Sequence, residues 1–336
     1  MKTIIITCAA LFCAAQACSQ TFTPTSGYSA QEVLAVAGGS FSTGLGAFAA
    51  DSTHLYFIET NDFGEGTKSL LRRSTISGGP VEDLFDFDAA VSPAFLKIND
   101  GVAYFASTLD FTSYTIQSFE ITGAILNTIG SVDFLYDLAF AGGSAFISHS
   151  PDGYGAVNYV SRLDLSNASV DSILNSGTDA SGPLAFDTDG NLYYGSTAFG
   201  GDGKIRRFSA LQVGSALGGG ADLTLASGVE LYTPVTNQYF EMSLSLGLIQ
   251  SYSPFGAKPL VTAFALDGSG SSLLGEGVIG DFMSGLSWNG SDLFVAVRNN
   301  GNDDVKVYQV SPVPEPSVAF LLLAGASLLA RRRRLI

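Results

Sequence analysis

A strand-turn-strand unit that returns every 42 to 54 residues constrains the fold of this chain more than any other feature. Its clearest copy runs from Leu184 to Tyr194, and related copies run from Gly46 to Ile58, Ala94 to Ala106, Leu138 to Ser148 and Leu286 to Ala296. The second strand of each carries an aromatic, at Tyr56, Tyr104, Phe146, Tyr193 and Phe294, with a degraded copy near Tyr239 and Phe240. A following strand keeps the same register and ends at Ile76, Ile121, Leu165, Ala210, Leu266 and Val310. This period is that of a four-stranded propeller blade. Six units fit.

The interval from Ala210 to Leu266 is the longest, and it holds the Gly-rich stretch Ser215 to Asp222 and the loop Ser245 to Lys258. Both read as insertions and not as a domain boundary. Fourth strands are expected at Val81 to Phe87, Ala124 to Ile129 and Leu223 to Leu225. The last unit stops at Val310 after three strands, while an unassigned strand, Glu32 to Ala37, precedes the first. Setting Glu32 to Ala37 as the outer strand of the last blade closes the ring and leaves no open edge. The expected architecture is an all-β, six-bladed β-propeller over residues 21–311, closed by an N-terminal strand.

The run Asp187 to Tyr193, followed by Ile205 to Phe208, resembles blades of the NHL and related propeller families. Those families differ widely in function, so the resemblance implies a fold and no activity.

Composition narrows the partners. Residues 21–312 keep nearly all the acidic residues and few basic ones, for a net charge of about −19. Nucleic acid is excluded as a partner, because phosphate contact needs a basic patch, and Arg72-Arg73 and Arg206-Arg207 do not make one. The 39 Gly, 24 Phe and 13 Tyr against 3 Met fit short aromatic strands punctuated by turns.

The two ends carry addresses. Lys2 precedes the apolar stretch Thr3 to Ala15, and Ala15 and Ala17 are small residues where a signal peptidase reads, so residues 1–20 are expected to be a signal peptide. Cys18 leaves lipidation open, although Ala15 stands where a lipobox usually has Leu. All three cysteines, Cys8, Cys13 and Cys18, lie in or beside this segment, so no disulfide framework supports the body.

At the other end Val313, Pro314, Glu315, Pro316 and Ser317 precede an apolar run to Ala330 and the cluster Arg331, Arg332, Arg333 and Arg334. As a helix, 317–330 would span roughly 21 Å against a hydrocarbon core of about 30 Å. It is a marginal anchor, and the arginines place its end on the cytoplasmic side. The tail at 312–336 resembles the PEP-CTERM sorting signal of bacterial exported proteins. That resemblance implies recognition of Pro314, Glu315 and Pro316 by an exosortase-type transpeptidase, in bacteria that make exopolysaccharide. It implies transient residence in the inner membrane, then the cell envelope or the exterior. A plain tail anchor is the alternative.

Enzyme signatures are sparse. His54 and His149 stand on or near second strands, where packing is the common role, and no nucleophile elbow is present. Asp187, Asp189 and the cluster with Asn302 and Asp303 have oxygens at calcium-loop spacing. Asp187 to Asn191 lacks the downstream acidic ligand of a calcium loop and is sufficiently explained as a tight hairpin turn, and the second cluster as a surface turn. Calcium is the one cofactor left open. Similar six-bladed lactonase-type propellers use carboxylates and amides around a central calcium, so a calcium-dependent hydrolase is the alternative function.

The loops between second and third strands repeat an aromatic beside an acid: Asp62 with Phe63, Asp110 with Phe111, Asp152 with Tyr154, and Phe199 with Asp202. Such loops emerge on one face of a propeller. Aromatic planes stack on sugar faces and carboxylates accept from hydroxyls, so this face suits polysaccharide. The alternative is that each aromatic plugs the gap between blades and each Asp shapes its loop. The expected function is therefore a non-enzymatic envelope or matrix protein that binds glycan or protein through one face.

Overall fold

The computed structural model describes residues 22–38, 44–153, 155–178, 181–196, 204–232, 241–245, 248–253, 258–299 and 303–313. Six antiparallel sheets follow one another along the chain, each with its first strand innermost. Blade 1 comprises Gly44–Ala50, His54–Asp62, Thr67–Thr75 and Glu82–Asp86, and blade 2 Ser92–Asn99, Val102–Thr108, Ser113–Glu120 and Ile125–Asp133. Blade 3 comprises Leu135–Ala141, Ser144–His149, Asn158–Leu163 and Val170–Gly177. Blade 4 is shorter, with Leu184–Phe186, Leu192–Ser196, Lys204–Phe208 and Val229–Tyr232. Blade 5 holds Met242–Ser245, Leu248–Ser253, Leu260–Ala265 and Ser271–Gly277, and blade 6 Phe282–Trp288, Leu293–Arg298 and Val305–Pro312.

Each innermost strand adjoins the next, and that of blade 6 adjoins that of blade 1, so the ring is closed. The closing strand is Tyr28–Val36, paired antiparallel with Val305–Pro312 as the outer strand of blade 6. It starts four residues earlier than the alternation of Glu32 to Ala37 indicates. A second piece of the N-terminus, Phe22–Pro24, adds a fifth strand to blade 5. Phe22 is fully buried there and stacks near Tyr308 of blade 6. Gly275 makes this approach feasible, since a Cβ at that position would lie 2.3 Å from Phe22 Cζ.

The recurring second-strand aromatics pack between blades. Tyr56, Phe146, Tyr193 and Phe294 are buried, each among apolar residues of a neighbouring sheet, while Tyr104 is half-buried against Phe140. Strand alternation puts successive residues on opposite faces of a blade, and both faces are covered by neighbours.

Two expectations in blade 4 are corrected. Residues Ala210–Leu217 form a helix, where strand and a Gly-rich insertion were expected. Ser209 caps it, and its side chain and that of Gln212 form a reciprocal capping box. Val213 and Ala216 pack on Ile173 and Leu174 of blade 3. Leu223 and Thr224 then pair in parallel with Leu174 and Asn175, so this short strand widens blade 3 and is not the fourth strand of blade 4. That place belongs to Val229–Tyr232, which pairs with Lys204–Phe208. Among the described residues no helix is long and apolar enough to cross a membrane. The signal segment 1–20, the apolar run 317–330 and Arg331 to Arg334 lie outside the described residues.

Candidate functional site

Antiparallel order within every blade sends the loop between second and third strands, and the crossover to the next blade, to one face of the ring. The opposite face carries the other turns. Asp62, Phe63, Asp110, Phe111 and Asp152 therefore share an end of the molecule, but their side chains have separate occupations.

Asp62 Oδ1 accepts from the Gly64 N–H at 2.8 Å, and the Phe63 ring lies 5.3 Å from the Arg72 guanidinium, a cation-π contact. Arg72 is itself held by Glu59 Oε2 at 2.6 Å and Asp83 Oδ1 at 2.7 Å. Asp110 Oδ1 accepts from the Thr112 and Ser113 N–H groups at 2.9 and 3.1 Å and from Thr108 Oγ1 at 2.9 Å. Those backbone donors hold the Asp110 carboxyl far below the usual carboxylate range. Phe111 instead projects into solvent, 58 % exposed, from a left-handed backbone with φ of 62°. Asp152 is exposed in a turn. Tyr154, Phe199 and Asp202 lie outside the described residues.

Beside Asp110 the loop face opens into a groove of about 380 Å³ between blades 1 and 2. Phe85, Phe87 and Val91, from the end of blade 1 and its crossover, form one side; Leu109, Thr115 and Gln117 of blade 2 are on the other. Phe85 and Phe87 meet edge to face at 5.0 Å, and Phe87 stands on Phe105 at 5.4 Å, so the aromatic wall is fixed by core packing. Ser107, Thr108 and Ser113 add hydroxyls. The volume lies in the range of small-ligand sites, about 300–1,000 Å³. Of the residues picked out by sequence, Asp110 lines it. Phe85 and Phe87 escaped because they read as ordinary outer-strand residues.

Of the weak metal candidates, Asp187 is occupied by protein donors. Asp187 accepts from the Asp189 and Asn191 N–H groups through Oδ1, and from Asn191 Nδ2 and Tyr193 OH through Oδ2 at 2.8 and 2.9 Å. Gly190, with φ of 84°, closes the hairpin. Burial pushes the Asp187 carboxyl up, but the bonds from Asn191, Tyr193 and Asp189 outweigh it and hold it low. Asp51 grips Tyr56 in the same way in blade 1, at 2.8 Å, so this is a repeated blade device. Asp189 is exposed, Asp303 sits in a turn with φ of 58°, and Asn302 lies outside the described residues. No cluster of three or more His, Cys, Asp or Glu disposed to hold a metal occurs among the described residues.

His149 is buried, with Nε2 2.8 Å from Ser161 Oγ. Burial lowers its pKa to about 4, so it is neutral at physiological pH. His54 bonds its neighbour Thr53.

At the ring axis the structure shows a charged group that sequence did not single out. Lys97 of blade 2 places Nζ 2.9 Å from Asp137 Oδ1 of blade 3 and 3.6 Å from Glu241 Oε1, which immediately precedes the innermost strand of blade 5. Asp137 accepts from the Leu138 N–H and, at 3.0 Å, from the Leu184 N–H of blade 4. Glu241 Oε2 accepts from the Leu286 N–H of blade 6 at 2.8 Å. Five blades are thereby tied to one cluster. Lys97 sets its positive charge between the two carboxylates.

Burial raises the Glu241 carboxyl, Lys97 opposes this and Asp137 reinforces it, leaving a pKa of about 7. A carboxyl raised in the folded state favours folding when protonated, so its contribution is complete below its ordinary pKa and is lost as pH rises through about 7. His149, depressed, has the opposite slope, losing stability as pH falls from its ordinary value through about 4. The melting temperature of the parent relative to Glu241→Gln is therefore expected to fall between pH 5 and 8. A parallel pair of melting curves across that range would refute the axial protonation.

No protein-family model matches the chain, and no curated protein matches it in sequence. Solved structures do resemble it. The PQQ-bound aldose sugar dehydrogenase of Streptomyces coelicolor superposes with a TM-score of 0.56 at 12 % identity, covering 86 % of this chain and 100 % of that one. A Bacteroides thetaiotaomicron protein of unknown function gives 0.54 at 11 %, over 84 % and 76 % of the two chains. TolB from Acinetobacter baumannii gives 0.52 at 14 %, over 79 % and 64 %. Likeness at this identity concerns the propeller fold alone.

Proposed function

We propose that this protein is an exported, non-enzymatic binding propeller that takes up a glycan chain in the groove between blades 1 and 2. The observation that carries the reading is the groove itself. Its fixed aromatic wall of Phe85 and Phe87 faces hydroxyl and amide groups, the pairing of apolar plane and polar rim that sugars need. The groove contains Asp110 and no cationic side chain, on a body of about −19 charge. A neutral polysaccharide is favoured over a uronic-acid polymer on that ground. The tail supports delivery to the envelope, with processing by an exosortase-type enzyme near Pro314 to Pro316, after transient insertion of 317–330 in the inner membrane.

Leu109→Ala and Gln117→Ala change groove-lining side chains outside the main apolar clusters. Together they are expected to reduce retention on neutral exopolysaccharide about tenfold, the equivalent of about 1.4 kcal/mol. Retention equal to that of the parent protein would remove the basis for glycan binding here. Intact mass of the protein recovered from its native envelope tests delivery: a mature form still carrying Arg331 to Ile336 would reject processing.

A further inference from the structure

We infer that the seam between blades 5 and 6 is the edge this propeller turns toward a lipid bilayer, so that it stands on its rim with the groove directed away. The inference rests on the reading of 317–330 as a membrane segment and adds to it the orientation of the body.

Both ends of the described chain lie at this seam. Phe22 enters on the outer edge of blade 5, opposite Gly277, and the Val313 N–H donates to the Gly27 carbonyl at 2.8 Å beside the closing strand. Only Pro314, Glu315 and Pro316 separate Val313 from the apolar run, a reach of about 10 Å even when fully extended. A bilayer that holds 317–330 must therefore lie close to this rim.

The seam has surface chemistry to match. Val313 is 48 % exposed at one end of this rim, where the third strand of blade 6 runs out, Ile279 at 70 % and Val278 are exposed at the other end in the crossover from blade 5 to blade 6, and Leu273 is exposed on the edge between them. Leu273 belongs to the same edge, since its carbonyl accepts from Thr25 Oγ1 at 2.7 Å. Between Phe22 and Val36 the only charged residue is Glu32, which Lys306 pairs at 2.9 Å, and Glu276 of blade 5 is paired by Lys258. The outer strand of blade 1 carries three acids, Glu82, Asp83 and Asp86, which Arg73, Arg72 and Lys68 pair in turn. The groove, two blades round the ring, stays open to solvent.

The test uses the full chain with Cys8, Cys13 and Cys18 replaced by Ser, reconstituted into phosphatidylcholine–phosphatidylglycerol vesicles containing brominated lipid. A fluorophore sits on Ile279→Cys at the seam or on Val170→Cys, an exposed position of blade 3, with Leu273→Cys as a second seam site should the first fold poorly. Quenching at the seam at least about twice that at Val170→Cys is expected. If the protein floats with vesicles but the seam is quenched no more than blade 3, the orientation is wrong and the membrane segment stands. Failure to float overturns the membrane segment, and the orientation with it.

Discussion

Lys97→Met is expected to destabilise the protein by about 3–5 kcal/mol at pH 8, read as a shift in the urea midpoint without a change in slope. The lysine sets its positive charge against both Asp137 and Glu241 at the axis. Its methylenes are replaced by a side chain of similar volume, so packing is nearly conserved and the loss is electrostatic. Two carboxylates are then left close together with little solvent. Asp137 keeps the Leu138 and Leu184 N–H groups, and Glu241 keeps that of Leu286. A second change, Glu241→Gln, removes the surplus charge while preserving an oxygen for Leu286, and it should restore about half of the loss. If Lys97→Met costs less than about 1 kcal/mol, the cluster is solvated and does not hold the inner ring together. The lowered pH gives an independent check, since protonating Glu241 should lessen the penalty of the single variant at pH 5.

The part of this fold that could be read from sequence is the part that repeats. Second-strand aromatics such as Tyr193 recur because each blade must fill the same gap to its neighbour, and Asp187 or Asp51 recurs because a buried tyrosine hydroxyl needs an acceptor. The closing strand was legible for a different reason: an alternating segment before the first blade and a missing strand in the last leave one arrangement without an open edge. Departures from the repeat were hidden. The helix at Ala210–Leu217 has a polar cap and a capping glutamine, but Leu223 looks like any fourth strand until the helix carries it onto blade 3. The axial cluster was hidden more completely. Lys97, Asp137 and Glu241 are each a lone charge near an apolar strand, and only closure of the ring brings blades 2, 3 and 5 to one point. The groove shares this property, since its aromatic wall comes from one blade and its polar lip from the next.

Deleting residues 22–36 is expected to convert the protein into a soluble aggregate or an insoluble one, with no cooperative unfolding left to measure. Phe22, Val33, Leu34 and Val36 are all buried, and each contributes about 1.5–3 kcal/mol of burial. Their sum approaches the whole stability of a typical domain, about 5–15 kcal/mol. The deletion also uncovers Val305–Pro312, whose ladder partners from Tyr28 to Val36 are then absent. That strand carries the buried apolar residues Val305, Val307, Tyr308 and Val310, and as a bare edge it offers a template to a second copy. A milder variant separates the two causes. Leu34→Ala keeps the ladder and creates a cavity, so it should cost about 2–5 kcal/mol while the protein remains monomeric and cooperative. Adding a synthetic peptide of residues 22–38 during refolding of the deletion variant should recover monomer, because the edge accepts a strand in the register of Tyr28 opposite Pro312. Light scattering and sedimentation distinguish the outcomes: a monomeric, fully cooperative deletion variant would mean that blade 6 is complete with three strands and that the N-terminus does not close the ring.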